Sequence, residues 1–317
     1  MSSKHDTKCT LHFIPKSCVS KSVQVKLLAL DWGTTSLRGA LLAADGKVLE
    51  ERSFGQGILS VEKGGFPAVF ENCFGDWMQQ GTVCLIAGMA GSQQGWVEAP
   101  YCPCPAGFAD IAAHLAWVEA GKIAIVPGLS TDKNGVPDVM RGEETQVFGA
   151  LQLLDLTDAR LVLPGTHSKW ATVSNYRITD FSTWMTGEFY ALLSQYSILA
   201  RTMPTAGTPH DEAAFDQGVA HALQGRGLLH TAFSTRTLSL FNRIANDALP
   251  SYLSGLVIGE ELKCQQLARG DNVVIVGVEG LTARYAKALQ QLGVITQCVS
   301  NQATWQGLRE IANTLTK

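Results

Sequence analysis

LLALDWGTTSLRGALLAADGKVLEERSF, residues 27–54, is the stretch that decides the fold of this chain. A second stretch, RLVLPGTHSKWATVSNYRITDFSTW at residues 160–184, repeats its pattern. Aligned on Gly33 and Gly165, each copy has an apolar strand, a Gly-Thr-x-Ser turn, a second apolar strand and a short polar turn. A duplicated β-turn-β unit of this kind suits a polyphosphate held from both sides, because turn N–H groups and hydroxyls are compact donors. The alignment superimposes two pairs of hydroxyl residues, Thr34 with Thr166 and Ser36 with Ser168.

The composition is that of a globular enzyme with two domains. The chain has 317 residues, of which 46% are hydrophobic and 17% charged, and it exceeds the length at which a single core usually stops growing. A net charge of −3 gives no electrostatic reason to expect nucleic acid or an anionic membrane as a partner. The apolar runs are too short to span a bilayer. Eight cysteines without a CxxC pair indicate reduced thiols in a cytoplasmic protein rather than a metal site.

Hydrophobic periodicity predicts an α/β protein in which strands and helices alternate. Residues 1–24 are polar and basic, and we expect a disordered extension there. The domain boundary is placed within Asp155–Asp158, which gives an N-terminal domain at 25–157 and a C-terminal domain at 158–317. The last helix is a candidate to pack back on the first domain. Strands are predicted at 25–31, 37–43, 47–54, 82–87, 122–127, 273–276 and 294–298, helices at 66–80, 143–155, 187–199, 211–224, 238–245, 249–268, 281–292 and 302–316, and a loop after residue 127.

Three places carry candidate chemistry. Asp31 ends the first strand beside the phosphate turn, where a carboxylate can bind Mg²⁺ directly or through water; capping the turn is the alternative. Glu143 and Glu144 begin a predicted helix in VMRGEETQVFGAL, residues 139–151. Negative charges in a first turn stabilise the helix dipole, which is one explanation for them. The other is that one of them is a general base for phosphoryl transfer to an alcohol. VVIVGVEGL, residues 273–281, is a strand followed by Gly277-x-x-Gly280 and a helix, a turn at which a base or ribose can approach the backbone.

The order of DWGTT, RGEETQ, PGTHSKW and VGVEG resembles the superfamily of sugar kinases, heat-shock chaperone ATPases and actin. Its members pair two ribonuclease-H-like domains around an ATP cleft. More narrowly, the chain resembles the 2-dehydro-3-deoxygalactonokinases. The stretches that carry this resemblance are LDWGTTSLRG, GMAGSQQGWVEAPYCPCPA, VPGLS with VPDVMRGEETQ, LPGTHSKW, MTGEFYALL and YLSGLVIGEEL.

The resemblance implies a role for each motif, with ATP and Mg²⁺ as cofactors. Glu143 occupies the position of the general base in related sugar kinases, and Glu144 is the reserve. Two departures matter: Pro164 stands where many members have an acid, and Val278 with Glu279 stands where paired glycines are more usual. The resemblance assigns the first phosphate loop to Asp31, Gly33, Thr34 and Thr35, the second to Gly165, Thr166, His167 and Ser168, and the adenosine site to Gly277 and Gly280.

The sugar-acid pocket is expected in the first domain, near the base. GMAGSQQGW, residues 88–96, is predicted to place Ser92 and Gln93 at a helix start, whose N–H groups bind carboxylates, with Trp96 against the carbon chain. The alternative is that these residues only close a loop over the sheet. Arg141 is a second candidate for the substrate carboxylate, and Lys169 is a candidate for phosphate or carboxylate.

The function predicted from these residues is an ATP-dependent kinase that phosphorylates the terminal 6-hydroxyl of 2-dehydro-3-deoxy-D-galactonate. Its partners are then small molecules, neither nucleic acid nor membrane, and a homodimer is left open. The alternatives are another sugar or sugar-acid kinase of this fold, a non-catalytic nucleotide-gated sensor or assembly unit, and a polyphosphate hydrolase.

Overall fold

The computed structural model describes residues 25–78, 81–133, 135–205 and 207–315. The extension predicted at residues 1–24 lies outside the described residues. The first half contains strands β1 Val25–Trp32, β2 Leu37–Ala43, β3 Val48–Phe54, β4 Val83–Gly88, β5 Cys102–Pro103, β6 Ala116–Glu119, β7 Ile123–Ile125, β8 Leu129–Lys133 and β9 Val136–Met140, and helices α1 Phe66–Phe74, α2 Phe108–Ala113 and α3 Glu143–Leu154.

The second half continues the alternation of strands and helices. Its strands are β10 Ala159–Leu163, β11 Ser168–Ser174, β12 Arg177–Trp184, β13 Asn272–Val276 and β14 Ile295–Val299. Its helices are α4 Thr186–Tyr196, α5 Glu212–Gln224, α6 Leu228–Thr231, α7 Ser234–Leu240, α8 Leu249–Lys263, α9 Glu279–Gln291 and α10 Ala303–Thr314.

The two large sheets share one topology. Their strand orders are β3-β2-β1-β4-β7-β6 and β12-β11-β10-β13-β14. In each sheet three consecutive antiparallel strands are followed by two strands parallel to the first of them, β4 with β7 in the first sheet and β13 with β14 in the second. The first sheet adds β6 at its edge, antiparallel to β7. This is the ribonuclease-H-like arrangement formed twice, so the α/β fold class with two such domains is confirmed. The domain bounds themselves stay a prediction.

Helices lie between the sheets and on both outer faces. The outer face of the first sheet carries an aromatic cluster formed with α1, in which Trp32, Phe66 and Phe74 are buried. The space between the sheets is filled by α2, α3 and α10, and one continuous core there includes residues of both sheets. The outer face of the second sheet packs on α5, α8 and α9. Each sheet is therefore covered on both sides, which explains the continuous apolar runs in the parallel strands.

The last helix contacts the first half of the chain at close range. A Cβ on Gly149 of α3 would lie 1.7 Å from the Ala303 carbonyl oxygen, and one on Gly307 of α10 would lie 1.9 Å from the Thr145 carbonyl oxygen. Only glycine allows the two backbones to approach this closely. The Trp305 indole also donates a hydrogen bond to Glu51 of β3 at 2.5 Å. Helix α3, which carries both candidate bases, is thus fixed against α10.

The hairpins align on their glycines up to the turn and then differ by one residue. Asp31 pairs with Arg38 across the first hairpin, and Leu163 pairs with Lys169 across the second. The second turn is therefore one residue shorter than the first. A shift of one residue exchanges the two faces of a strand. The predicted superposition of Ser36 on Ser168 is wrong, because the structure matches Arg38 with Lys169.

Two predicted elements are corrected by the structure. The loop expected after residue 127 contains the β8–β9 hairpin, in which Leu129 pairs with Met140. Its turn and breaker residues misled the prediction, since Gly135 adopts φ +77° at the turn and Pro137 lies on an edge strand, where proline is tolerated. The helix predicted at 238–245 is α7, which ends earlier because Asn242 adopts φ 52°, a left-handed terminating conformation.

Candidate active site

A cavity of about 390 Å³ opens between the two hairpin turns. The first hairpin, the second hairpin, the start of α3 and the loops after β13 and β14 all reach it. Most of the predicted site residues therefore surround one space. The lining consists of Asp31, Gly33, Thr34, Gly88, Met89, Arg141, Gly142, Glu143, Gln146, Leu163, Pro164, Gly165, Thr166, His167, Gly277, Val278 and Asn301.

The first hairpin turn is held in shape from behind. The Gly33 N–H donates to the Ser36 carbonyl at 2.9 Å, and the carbonyls of Gly33 and Thr34 accept from the next loop, from Ile58 and Leu59. Both threonines of the turn are exposed, but only Thr34 lines the cavity, and Thr35 lies outside its lining. The turn is thus a preformed loop with one threonine directed to the cleft.

The second turn is supported by the start of α4. The Glu188 N–H donates to the Thr166 carbonyl at 3.0 Å, and the His167 imidazole contacts the Glu188 carboxylate at 2.5 Å. Because this turn is one residue shorter, Ser168 is fully buried and donates its hydroxyl to Glu261 at 2.9 Å. The assignment of Ser168 to the phosphate loop is therefore corrected, since its hydroxyl points away from the cleft.

Glu143 and Glu144 begin α3 but face different surroundings. Gly142 reaches φ 108° and contacts Gly88, which brings the helix start against the end of β4. Glu143 lines the cavity, and one of its oxygens accepts the backbone N–H of Arg141 at 3.0 Å. Glu144 is fully buried and accepts the Gly142 N–H at 2.7 Å. Only Glu143 presents its carboxylate to the cleft.

Burial and neighbouring charges set the protonation of this pair. Burial raises the pKa of Glu143, Asp31 raises it further, and the Lys169 ammonium lowers it. Burial and the neighbouring Glu143 raise the pKa of Glu144 to about 8. Glu144 is thus mainly protonated at neutral pH, while Glu143 has the raised pKa that suits a general base.

Arg141 presents unsatisfied donors inside the protein. Its Nη2 donates to the Ala99 carbonyl at 2.8 Å, and its guanidinium lies over the Tyr101 ring, 4.3 Å from the centroid. Nε and Nη1 are buried and have no hydrogen-bond partner among the described residues, and the same holds for the Ser92 hydroxyl. Buried donors without partners are uncommon and call for a ligand. The Gly91 backbone, next to Ser92, lies beside Nη1, because a Cβ there would be 2.7 Å from that atom.

Other predicted substrate residues have different surroundings. The helix expected to start at Ser92 is absent, because Ser92 instead follows a short 3-10 turn, Met89–Gly91. Gln93 is exposed, and Trp96 packs on Trp32 and Phe70 with ring centroids 6.1 and 5.5 Å away. This places Trp96 in the aromatic cluster of the first sheet, outside the lining of the cavity.

Lys169 is buried rather than free. Its ammonium donates to the Val139 carbonyl and the Thr183 hydroxyl, each at 2.7 Å. Most of its hydrogen-bonding capacity is therefore used within the protein, and its contribution to the site is its positive charge near Glu143. Direct binding of a ligand by Lys169, as predicted, is not what the geometry favours.

Asp31 reaches the cavity with one carboxylate oxygen available. Its Oδ2 accepts from Arg38 at 2.9 Å, while Oδ1 lies beside Gly88, where a Cβ would be 3.1 Å away. No group of three or more metal-ligating side chains is found among the described residues. A single carboxylate is sufficient for Mg²⁺ that is otherwise held by phosphates and water. Asp31 therefore fits a metal that arrives with its nucleotide.

Comparison with known proteins identifies the family. The sequence pattern of the 2-keto-3-deoxy-galactonokinase family matches residues 31–311. The chain belongs to this family. It is 34% identical to the 2-dehydro-3-deoxygalactonokinase of Escherichia coli K12 over 291 residues, which cover 91% of this chain and 98% of that protein. A crystal structure of a Sinorhizobium meliloti protein, provisionally assigned the same activity, matches with a TM-score of 0.84 and 34% identity over 91% of this chain and 99% of that one.

This 2-keto-3-deoxy-galactonokinase family member also contains a cavity that was not predicted. About 230 Å³ in volume, it adjoins the second hairpin turn and is lined by residues of α4, α8 and α9. A neighbouring cavity of about 380 Å³ shares Tyr190, Ser254 and Arg284 with it. Gly277 lines the main cleft, but Gly280 is exposed in the first turn of α9 and lines neither cavity.

Sequence reasoning missed several residues at the cleft. Gln146 lies one turn after Glu143 on the same helix, and that spacing could have identified it. Asn301 gave no such signal, because it reaches the cleft through tertiary packing, and the same holds for Glu188, which contacts His167 behind the second turn. In the described part of the chain, no helix is both long enough and apolar enough to cross a membrane.

Proposed function

We propose that the protein transfers the γ-phosphoryl group of ATP to the terminal 6-hydroxyl of 2-dehydro-3-deoxy-D-galactonate. The observation that carries this proposal is the placement of Glu143 in one cavity with both phosphate turns. A carboxylate of raised pKa at that point can accept the proton of the attacking hydroxyl. The turns supply the positioning on which phosphoryl transfer depends.

The nucleotide has room on the side of the second hairpin. Its phosphates would lie between the turns at Gly33 and Gly165, with Mg²⁺ bound through Asp31. The purine would enter the 230 Å³ cavity, where Tyr190 and Arg284 offer an aromatic ring and a planar cation. Bound Mg²⁺ would offset the negative charge of the phosphates, and the turn N–H groups would hold their oxygens.

The sugar acid would be held through its carboxylate. Arg141 has two buried N–H groups without partners, and the Ser92 hydroxyl is in the same condition. A carboxylate bound there would satisfy these donors through charge-assisted hydrogen bonds. The backbone N–H of Arg141 donates to Glu143, so the carboxylate site and the base are neighbours in the chain, and the substrate would extend from one to the other. A plain hexose has no carboxylate to form such bonds, which favours a sugar acid over a hexose as the acceptor.

The test is a coupled ADP-release screen over 2-keto-3-deoxy sugar acids and plain hexoses. We expect turnover with 2-dehydro-3-deoxygalactonate, weak or no turnover with hexoses, and a product whose phosphorus couples to the protons on C6 in NMR spectra. ATP hydrolysis at the same rate without any sugar acid would instead support a hydrolase. Nucleotide binding without turnover on any sugar would support a sensor.

We also propose that two copies associate through α4 and the residue before it, in the cytoplasm where ATP is available. Met185, Phe189, Leu192 and Tyr196 are 44%, 41%, 44% and 80% exposed. Their spacing of four, three and four residues is that of a helix seam that packs on another helix. The adjacent face, with Tyr190 and Leu193, already packs on the protein core. A helix at the surface of a monomer usually has one apolar face, toward the core, and a polar face toward solvent. A second copy would present the same row of apolar residues, and the two rows could cover each other symmetrically.

Sedimentation velocity of the full chain tests this association. Leu192→Glu should convert a dimer into a monomer, whereas Leu153→Glu, at a leucine of α3 that is 54% exposed, should leave it intact. A monomeric unsubstituted protein at micromolar concentration would contradict the proposal.

A further inference from the structure

A buried carboxylate behind the second phosphate turn accepts four side-chain hydrogen bonds. Glu261 of α8 is only 2% exposed. Its Oε1 accepts from the Ser168 hydroxyl at 2.9 Å and from the Trp170 indole at 2.6 Å. Its Oε2 accepts from the Tyr285 hydroxyl at 2.7 Å and from the Thr186 hydroxyl. All of its hydrogen-bonding directions are therefore directed at protein donors.

Two of the four donors belong to the second hairpin, and the other two belong to helices that line the proposed purine cavity. Ser168 and Trp170 begin β11, directly after the second phosphate turn. Thr186 is the first residue of α4, and Tyr285 lies on α9; both line the 230 Å³ cavity. Helix α8 itself contributes Ser254, Val257 and Ile258 to the same lining. Glu261 thus joins the phosphate side and the purine side of this cavity from behind.

We infer that Glu261 is a positioning residue for the nucleotide, which fixes the second phosphate turn relative to the helices that enclose the purine. The inference rests on the proposed function, since it assumes that ATP occupies this cavity. Glu261 does not line that cavity or the main cleft. Its effect on ATP is therefore transmitted through Thr186, Tyr285 and β11, and the sugar-acid side at Arg141 and Glu143 should not depend on it.

Glutamine preserves the shape of Glu261 but cannot preserve its hydrogen bonds. The Trp170 indole is a donor only, so the amide oxygen must face Trp170 and Ser168. The amide NH₂ then faces the hydroxyls of Tyr285 and Thr186. These hydroxyls must accept a hydrogen bond from the NH₂, and their own protons lose the carboxylate oxygen that accepted them. The two helices that enclose the cavity would therefore keep only weaker, neutral hydrogen bonds to residue 261, while the core packing around α8 stays in place.

The experiment measures ATP affinity directly by calorimetry, without the phosphoryl acceptor. We expect Glu261→Gln to weaken ATP binding by roughly 5- to 50-fold, since hydrogen bonds to charged groups are the stronger class. Tyr285→Phe, which removes one donor, should weaken it by a smaller factor and keeps the test valid if Glu261→Gln does not fold. Glu260→Gln is the matched control, because the Glu260 carboxylate accepts from Thr231, away from this cluster.

A kinetic comparison separates positioning from general stability. At saturating ATP, the KM for the sugar acid should stay within about twofold in Glu261→Gln, while the KM for ATP rises. Normal ATP affinity in both folded variants, Glu261→Gln and Tyr285→Phe, would overturn the inference alone. An equal rise of both KM values would do the same. Absence of ATP binding by the unsubstituted protein would overturn the proposed function together with it.

Discussion

Replacing Glu143 by glutamine removes the only carboxylate that α3 directs into the cleft. The substitution keeps the size of the side chain and an oxygen that can accept the Arg141 N–H. We expect kcat to fall by roughly 10²–10⁴, the usual contribution of a general base, which corresponds to about 2.7–5.5 kcal/mol in the activation barrier. ATP affinity should be nearly unchanged, because a base that contacts the acceptor hydroxyl does not hold the nucleotide. Single-turnover phosphoryl transfer, with ATP binding measured separately, is the appropriate assay.

The pH profile provides a second reading of the same residue. Burial raises the pKa of Glu143, and a base acts only when ionised. In the unsubstituted protein kcat should therefore fall about tenfold per pH unit below that raised pKa, and Glu143→Gln should lose this limb. Glu144→Gln is the matched control, since the Glu144 side chain is buried behind the cleft. A loss of 10²-fold or more in Glu144→Gln with little change in Glu143→Gln would refute the assignment.

Four further predictions follow from the same geometry. Asp31→Asn should reduce activity strongly with little change in melting temperature, and full activity of the unsubstituted protein in excess EDTA would contradict a metal at Asp31. Arg141→Gln removes a charged donor to the substrate carboxylate, so it should raise the KM for the sugar acid by about 10- to 100-fold and leave the KM for ATP nearly constant. An equal rise of both KM values would refute the carboxylate site. The pKa of Glu144 is raised to about 8 in the folded protein, so between about pH 5 and 8 the folded state holds a proton that the unfolded state has released. The unsubstituted protein should therefore lose stability as the pH rises through this range, and Glu144→Gln should lose less. Denaturant titrations would show this, and parallel curves for the two proteins would contradict it. The cleft should close when ATP analogue and sugar acid are both bound, by a hinge near Asp155–Asp158 and the entry to α10, to exclude water; small-angle scattering with an unchanged radius of gyration would argue against closure.

The motif order predicted the fold because each motif marks a strand end in a repeated unit. The apolar runs before Gly33 and Gly165 are buried on both faces, so composition alone identifies them as central strands. The β8–β9 hairpin was missed since its strands are short, lie in a separate three-stranded sheet and are mostly outside the core. The cavity at Tyr190 and Arg284 was also missed, because its walls are helices that meet only through tertiary packing.

The candidate site was predictable in its position but not in the direction of each side chain. A sequence alignment on Gly33 and Gly165 treats both turns as equal in length, whereas the pairing of Leu163 with Lys169 shows that the second turn is one residue shorter. Strand periodicity converts that single residue into a change of face. The serine expected to bind phosphate therefore contacts Glu261 inside the protein, and the lysine expected on a ligand lies near Glu143, where its charge lowers the pKa of the proposed base. In the shorter turn the serine hydroxyl thus bonds a buried carboxylate instead of facing the cleft. Because that carboxylate belongs to α8, the second hairpin depends on α8 for its position in a way that the first hairpin does not.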